Sequence, residues 1–310
     1  MTHDHSANFE LASQAGPVPD HQEPAVVVGS DVWLAVSFGG GTNSTAMLCG
    51  MRERGIRPSL ITFADTGAEM PHTYEHVAMM RAQVQTWWGI DLLTVRKLYQ
   101  GKFEGLEGQC KRHGQMPSLA YGHRSCSVKY KHEPQDRALK PAMKAAGVTH
   151  AIKAIGFDAG EGHRVKAEHM ATKPIKSGLY VRHWYPLVEW GWKRDDCAAA
   201  IERHGLPQPG KSSCYFCPAM KRREVMKLRE EYPEMLARAL AIEDAAQSNT
   251  TTHRGLGGAK NRWRDWLAMD KAQARLWNDI EPAHVPCGCY DGSSDLPANV
   301  ELSHGGDKNL

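Results

Sequence analysis

The sequence predicts an α/β protein built on a doubly wound, mostly parallel sheet with helices on both faces. Three observations lead to this prediction. Short apolar runs typical of buried strands alternate with longer amphipathic segments typical of helices. Three consecutive glycines, Gly39 to Gly41, separate the first apolar run from the first helical pattern. The polar motifs follow directly after predicted strands, which is where sheets of this class bind their ligands.

The elements can be assigned in order along the chain. Strands are predicted at residues 32–36, 60–63, 92–95 and 151–155. Helices are predicted at 46–54, at 71–88, where Pro71 suits a first turn, and at 133–146. The segment 99–124 is rich in Gly, Lys and His and is predicted to be irregular. Beyond residue 211 the pattern is mainly helical, at 221–247 and 260–279.

These assignments predict four regions. Residues 1–28 are polar and form an expected disordered tail. Residues 29–210 form the nucleotide-binding α/β domain. Residues 211–290 form a mainly helical C-terminal region that carries a Cys-x-x-Cys motif. Residues 291–310 form an expected flexible tail.

Composition excludes several classes of protein. The 310 residues suffice for one large domain with an appended lobe, and the net charge of +3 is too small to indicate nucleic-acid binding. No apolar stretch approaches the ~20 residues of a membrane span, and no signal-peptide core is present. We therefore expect a cytoplasmic protein without a membrane partner. In that compartment, the eight cysteines indicate metal or redox chemistry more than disulfides.

The glycine run has the properties of an anion site. Glycine permits positive φ and a close approach of the backbone to a ligand, and a helix start adds unpaired N–H groups. The run lacks the third glycine of the dinucleotide fingerprint and the Gly-Lys-Ser/Thr of the Walker loop. Ser37 and Ser44 flank it in a Ser-x-Gly-Gly-x-x-Ser pattern. A tight βα turn that binds nothing would leave a similar pattern.

A second motif, Asp65-Thr66-Gly67, directly follows the second predicted strand, and Pro71, Thr73 and Tyr74 come shortly after it. As an isolated feature it is typical of a turn followed by a helix start. At the end of a parallel strand, it is also suited to holding the ribose or base of a nucleotide.

Together these motifs resemble a known family. The glycine run is similar to the PP-loop of the adenine-nucleotide α-hydrolase superfamily, with Thr42-Asn43 where that loop has Lys-Asp. Asp-Thr-Gly-x-x-x-Pro-x-Thr-Tyr is similar to the signature of the phosphoadenosine phosphosulfate reductase family. Further segments resemble that family in the same order. They are residues 124–134 around Cys126, 156–164 with Asp158 in place of the usual Arg, 185–207, and Cys214-x-x-Cys217.

The resemblance implies an adenine-nucleotide site at the ends of the strands. The ligand would be ATP, with Mg²⁺ if ATP is cleaved, or an adenylyl sulfate. The residues expected to bind it are Ser37, Phe38, Gly39, Gly40, Gly41, Asn43, Ser44, Asp65, Thr66, Gly67 and Gly156. Ser37, Asp65 and Arg164 are the expected catalytic residues.

The cysteines are candidate metal ligands. The spacing of Cys214 and Cys217 permits zinc, an iron–sulfur cluster or a redox dithiol, and Cys126 is a third candidate. The family resemblance favours a 4Fe-4S cluster, with zinc as the alternative. Either Cys287 or Cys289 would complete the ligand set, or one iron would stay open. Cys110 and Cys197 are weaker candidates, and Cys49 is expected in the core.

Two reactions and one binding function are compatible with these motifs. The first is reduction of an adenylyl sulfate with a thioredoxin-like reductant. The second is ATP-dependent adenylylation followed by sulfur transfer from a sulfur donor, with tRNA or DNA as a candidate acceptor. The third is a non-catalytic nucleotide- or nucleic-acid-binding module with structural zinc. A homodimer is a further candidate assembly.

Basic residues are candidates for anion contacts. Lys129, Lys131 and Arg164 follow predicted strands and are candidates to face the anion pocket. Residues 221–223 and 262–266 combine charge with nearby aromatic side chains, a pattern compatible with nucleic-acid binding. For residues 262–266, an amphipathic helix whose Trp side chains pack on a core is the favoured interpretation.

Overall fold

The computed structural model of the protein describes residues 32–165, 171–175, 178–249, 254–258 and 261–268. Their strands form a six-stranded sheet with the order β3-β2-β1-β4-β6-β5. All neighbouring strands are parallel except β5 and β6. The strands are β1 Leu34–Phe38, β2 Leu60–Asp65, β3 Leu92–Arg96, β4 His150–Ile155, β5 Lys173–Ile175 and β6 Leu179–Trp184. The predicted α/β class with a mostly parallel sheet is therefore confirmed.

Helices connect the strands and extend beyond them. The α-helices are α1 Thr42–Glu53, α2 Pro71–Trp88, α3 Gly105–His113, α4 Ser125–Ser127, α5 Glu133–Ala145, α6 Pro186–Glu189, α7 Arg194–Arg203, α8 Arg222–Glu231, α9 Pro233–Asn249 and α10 Trp263–Ala268. A π-helical turn, Val128–His132, joins α4 to α5, and 3₁₀ turns occur at Ser118–Tyr121 and Ala159–Arg164. A π-turn carries one extra residue per turn and is frequent at functional sites.

The sheet is covered by helices on both faces, as its strands require. On β1, Leu34, Val36 and Phe38 point to one face and pack with α1, α2 and α7. Ala35 points to the other face, where Leu139 and Met143 of α5 pack. Strands buried on both faces are typical of parallel sheets, and this explains the near-continuous apolar run that predicted β1.

A separate apolar cluster lies beside the sheet. It joins α3 to helices α8, α9 and α10 and includes Cys214 and Cys217. The helical character predicted beyond residue 211 is confirmed for the described residues, whereas the proposed boundary at 210 stays a prediction. No helix in the described ranges has the length and apolarity needed to cross a bilayer.

Several elements differ from the sequence-based expectations. Strand β1 runs two residues further than predicted, so Ser37 and Phe38 belong to it. The expected helix at 221–247 is two helices, because Pro233 cannot continue the helix before it. The segment expected to be irregular contains α3, and β5 and β6 were not predicted. The expected tails and most of the predicted helix at 260–279 lie outside the described residues.

The carboxylate of Glu243 holds the C-terminal helices together. Its side chain is fully buried on α9. Oε1 accepts hydrogen bonds from the backbone N–H groups of Leu256 (2.7 Å) and Trp263 (3.0 Å), and Oε2 accepts one from Arg264 (3.2 Å). Trp263 and Arg264 are the first residues of α10, so this carboxylate supplies the acceptors that a helix start lacks.

We expect Glu243→Ala to lower the free energy of unfolding by about 2–4 kcal/mol, because it leaves these N–H groups without their acceptor. Urea denaturation followed by circular dichroism measures the change. The exposed Glu230→Ala on α8 is the matched control and should change stability by less than about 0.5 kcal/mol. Equal unfolding midpoints for the two variants would contradict this role of Glu243.

Candidate functional site

The glycine loop lies at the carboxyl end of β1, between Phe38 and the start of α1. Gly40 has a φ of +73°, and a Cβ there would lie 3.0 Å from Thr73 Cγ2, so the loop requires glycine at this position. Gly41 precedes α1 and has no side chain to cover the first N–H groups of the helix. Ser37 Oγ is buried beside the loop, without a hydrogen-bond partner among the described residues. The loop therefore combines free donors with room for the backbone to approach an anion.

Asn43, in the first turn of α1, is fixed by two carboxylates and a guanidinium. Its Nδ2 donates to Asp158 Oδ2 and to Glu161 Oε2, both at 2.9 Å. Arg194 Nη1 donates to Asn43 Oδ1 at 3.0 Å. An amide can donate and accept in this way, whereas a carboxylate at residue 43 would face two others. The asparagine at 43 and the aspartate at 158, both departures from the family pattern, are thus partners.

The loop after β4 packs directly beneath the start of α1. A Cβ on Gly156 would lie 3.1 Å from Ser44 Cα, so only glycine permits this approach. Further along, Arg164 forms an ion pair with Glu161 and stacks on Phe157, with 4.2 Å between its Cζ and the ring centre. The Arg164 side chain is 9% exposed, and its Nε and Nη2 have no hydrogen-bond partner among the described residues. Two of its nitrogens are therefore available to an anion.

The carboxylate of Asp65, at the end of β2, accepts three hydrogen bonds. Its Oδ1 accepts from the Gly67 N–H and the Tyr74 hydroxyl, and its Oδ2 from Arg96 Nε, each at 2.8 Å. Burial, followed by the negative charge of Asp65, raises the pKa of Tyr74, so this hydroxyl stays protonated and donates. These contacts give Asp65 a positioning role in the loop, while its expected catalytic role stays a prediction.

The Cys-x-x-Cys segment is bonded to the loop after β2. Glu69 and Cys214 form an antiparallel bridge, flanked by hydrogen bonds from Met70 N to Ser213 O (3.0 Å) and from Tyr215 N to Ala68 O (2.9 Å). Immediately before Cys214 the chain passes the glycine loop, where a Cβ on Gly41 would lie 2.9 Å from Ser212 Oγ. The two candidate sites are therefore adjacent.

A buried polar cluster lies where these segments meet. Glu69 Oε1 accepts from Thr66 Oγ1 at 3.0 Å and forms an ion pair with Lys131 Nζ at 3.3 Å. Thr66 Oγ1 also lies 3.4 Å from Cys214 Sγ. Lys131 belongs to the π-helical turn, and its side chain is almost fully buried. A buried carboxylate needs such a partner, because an isolated charge would be strongly destabilising.

Three cysteines line one cavity beside this cluster. Cys126, Cys214 and Cys217 share its wall with the cations Arg124 and Lys131. The cavity has about 500 Å³ of empty volume, including its opening to solvent. Leu106, Pro117, Leu119 and Pro218 provide an apolar lining. Among the described residues, no three His, Cys, Asp or Glu side chains are arranged closely enough to hold a single metal ion.

Burial determines the protonation of this region. Burial raises the pKa of Cys214 well above its ordinary value, and the Glu69 carboxylate raises it further. Burial also raises the pKa of Cys217 to about 11. Burial is the largest influence on the pKa of Lys131 and acts to lower it, but the combined effect of Glu69, Cys214 and Cys217 raises it. In the protein alone both thiols carry protons at neutral pH, and a bound metal would displace them.

Some of the predicted site residues lie together at the carboxyl edge of the sheet, and others do not. The glycine loop, Asn43, Asp65, Gly156 and Arg164 all meet at the carboxyl edge of the sheet. Phe38 is fully buried in β1 and stacks on His76, with 6.3 Å between ring centres, so its side chain belongs to the core. Cys287 and Cys289 lie outside the described residues.

Other residues behave differently from the sequence-based expectations or were missed. Lys129 is exposed, and Lys131 faces Glu69 instead of an anion pocket. Glu69 was overlooked although it lies within the second motif, whereas no local signal marks Arg194. Trp263 is fully buried and Trp266 packs on the same cluster, which confirms the interpretation of residues 262–266 as a helix docked on a core.

Comparison with known proteins finds distant structural neighbours. No protein-family model and no curated protein sequence matches the chain. A phosphoadenylyl-sulfate (PAPS) reductase from Candida auris, solved with phosphate, is similar with 21% identity and a TM-score of 0.37, over 60% of this chain and 78% of that one. The U34-tRNA thiolase NcsA from Methanococcus maripaludis, solved with its [4Fe-4S] cluster, is similar with 15% identity and a TM-score of 0.43, over 72% of this chain and 75% of that one. The first carries the name of the family that the motifs resemble. At this distance the two likenesses assign no activity to the chain.

We expect Asn43→Asp to lower the free energy of unfolding by roughly 2–4 kcal/mol at pH 7, because it places a third carboxylate against Asp158 and Glu161. The like charges raise the pKa of the new carboxyl in the folded state. The electrostatic penalty is therefore complete above that raised pKa and disappears as the pH falls below ~4, the unfolded pKa, where the carboxyl becomes protonated in both states. Denaturation curves at several pH values measure it.

Two further variants accompany this test. Adding Asp158→Asn should recover part of the lost stability, because the amide introduced there can donate to the new carboxylate. The exposed Asn261→Asp should change little. A pH-independent loss in the Asn43→Asp protein would contradict the electrostatic explanation.

Proposed function

We propose that this protein is an adenine-nucleotide-binding enzyme of sulfur metabolism, which activates an acceptor with ATP and replaces an oxygen of that acceptor by sulfur. One observation carries the proposal. The loop that follows β2 contacts the Cys-x-x-Cys segment, with Thr66 Oγ1 3.4 Å from Cys214 Sγ. A nucleotide bound at the strand ends would therefore lie beside a thiol-lined cavity.

The glycine loop would hold the phosphates. Ser37 Oγ, the loop N–H groups and the start of α1 offer donors to an anion. In the proposed reaction an acceptor oxygen attacks the α-phosphorus, the α–β phosphate bond breaks, and pyrophosphate leaves into the loop. Arg164, with two uncommitted nitrogens, would stabilise the charge on the transferred phosphate, and Mg²⁺ would accompany ATP. Attack by sulfide then forms the carbon– or phosphorus–sulfur bond and expels AMP, with no change of oxidation state.

The cysteine cavity would hold the cofactor. Cys126, Cys214 and Cys217 are the proposed ligands, with Cys287, Cys289 or an open position completing the set. The fit rests on the donor set: three thiols line one cavity, and Arg124 in its wall would add positive charge near thiolate ligands, as would Lys131 while paired with Glu69. A 4Fe-4S cluster bound there would supply electron transfer or a coordination position for sulfide. The apolar lining would limit contact with water inside the cavity, and Thr66 and Glu69 would orient Cys214.

Reduction of an adenylyl sulfate is the second candidate, and the glycine loop favours it. Thr42 offers no positive charge where the pyrophosphate loop has lysine, so a sulfate or monophosphate would suit the loop better than pyrophosphate. In this reaction a cysteine thiolate attacks the sulfur and the nucleotide leaves. A thioredoxin-like dithiol then releases sulfite and becomes a disulfide. Cys287 and Cys289 are the candidate nucleophiles.

The first test is nucleotide cleavage. We expect the protein with ATP, Mg²⁺ and acceptor to release AMP and pyrophosphate. In Gly39→Ala the release should fall at least about tenfold, because the methyl group enters the loop. The change is tolerable for the fold, since a Cβ at residue 39 meets only Ser44 Oγ at 3.7 Å. Gly162→Ala, whose Cβ would meet no atom within 4 Å, is the matched control and should stay active. Thioredoxin-dependent sulfite without pyrophosphate would establish the reductase instead.

The second test is metal content. We expect anaerobically purified protein to be brown, with iron and sulfide near four each per chain. Cys217→Ala should lose most of the iron, because it removes one of the three convergent ligands. Cys197→Ala removes a buried thiol from α7 in the apolar core beneath the sheet, away from the cysteine cavity, and this variant should keep its iron. A colourless wild-type protein containing zinc would support the non-catalytic module.

A further inference from the structure

Exposed apolar side chains are concentrated on one hairpin. Leu98, Tyr99 and Phe103 follow β3 and are 51%, 40% and 37% exposed. They account for half of the large apolar side chains that are exposed in the described part of the chain. This concentration contrasts with residues 262–266, whose aromatic side chains are used for packing.

The hairpin is closed by backbone hydrogen bonds, and its Tyr99 ring is stacked on a guanidinium. Tyr99 and Lys102 exchange backbone hydrogen bonds of 2.8 and 2.9 Å across a two-residue turn with φ of +48° at Gln100 and +76° at Gly101. The guanidinium carbon of Arg112 lies 3.8 Å from the centre of the Tyr99 ring. Arg112 is itself held by two hydrogen bonds to Glu104, of 3.2 and 2.7 Å. A ring fixed in this way loses little entropy when a ligand stacks on it.

The hairpin adjoins the loop after β2, which contains Gly67. A Cβ on Gly67 would lie 2.9 Å from Phe103 Cζ, so the Phe103 ring lies against the backbone of the loop after β2. Arg96 stacks on the same ring, with 4.7 Å between its Cζ and the ring centre, and pairs with Asp65 at 2.8 Å. A molecule bound on the hairpin would thus extend into the proposed active site.

The surroundings carry an excess of positive charge, although several of the cations are paired with carboxylates. Residues 96–113 and 123–137 together contain nine Lys and Arg against four Asp and Glu, in a chain of net charge +3. Lys97 Nζ lies 4.7 Å from the centre of the Tyr130 ring. Burial lowers the pKa of Lys97, and the neighbouring Lys129 lowers it further, as expected where cations crowd together. A polyanion would relieve this crowding.

We propose that the hairpin surface, defined by Leu98, Tyr99, Lys102, Phe103 and Arg112, binds a single-stranded polynucleotide and presents it to the nucleotide site. Exposed rings beside cations suit unstacked bases joined by phosphates. A duplex keeps its bases stacked on each other and cannot use the rings. The inference rests on the proposed function for its reaction, in which the polynucleotide is the acceptor, but the docking is independent of catalysis.

Fluorescence anisotropy with labelled single-stranded RNA and DNA of about 15 nucleotides tests the surface, without ATP or added metal. We expect the affinity for the labelled strand to fall as the salt concentration rises. The Tyr99→Ala variant should bind about tenfold more weakly, because it loses the stacking of one base. Tyr99→Phe keeps the ring and should bind within about twofold of wild type. Tyr180→Ala, which removes an aromatic side chain of similar exposure (38%) from β6, should not change binding. Comparison of the RNA and DNA arms gives the preference of the surface between these two polynucleotides.

Three results would overturn the inference. They are equal affinity for the duplex of the same sequence, no effect of Tyr99→Ala, and preferential binding of an acidic polypeptide such as polyglutamate, which would indicate a protein partner. Failure here is distinct from failure of the proposed function. Pyrophosphate release without Tyr99-dependent binding would reject the surface alone. Tyr99-dependent binding without pyrophosphate release would reject the proposed reaction alone.

Discussion

The antiparallel bridge between Glu69 and Cys214 is the contact on which the site depends. It joins the loop after β2 to the cysteine segment and so places the proposed nucleotide site and the thiols at one edge of the sheet. The bridge buries the Glu69 carboxylate, which would be strongly unfavourable without a cation. Lys131 provides that cation from the π-helical turn. Lys131 and Lys129 lie two residues apart in this turn and point to different sides, so that Lys131 is mostly buried while Lys129 stays exposed.

The residues at 43 and 158, which differ from the family pattern that the sequence resembles, contact each other. Lysine and aspartate are absent from positions 42 and 43 of the loop, and an aspartate stands at 158 where arginine is usual. The Asn43 amide satisfies the Asp158 and Glu161 carboxylates together, and Arg194 contributes positive charge from α7. The cation at the loop therefore comes from a distant helix instead of from the loop itself.

Local patterns predicted the parts of this protein that local forces determine. Four strands, the glycine loop and the cysteine pair follow from apolar runs, φ preferences and spacing. Helix α3 was missed because Gly105 and Gly108 are poor helix formers, and its stability comes from packing on α9. The Glu69–Lys131 pair and the Tyr99–Arg112 stack join residues whose proximity depends on the whole fold. A single sequence contains no periodic signal for such contacts.

The distance along the chain between the two halves of the site affects how the protein is made. Thr66 and Cys214 are 148 residues apart in sequence, so their contact closes one of the longest loops in the molecule. During synthesis, β1 and β2 emerge and can pair long before the cysteine segment leaves the ribosome. Until then Glu69 has no bridge partner, and the carboxyl edge of the sheet stays open. A nascent or truncated chain would therefore have its glycine loop before Cys214 and Cys217 can pack against the loop after β2.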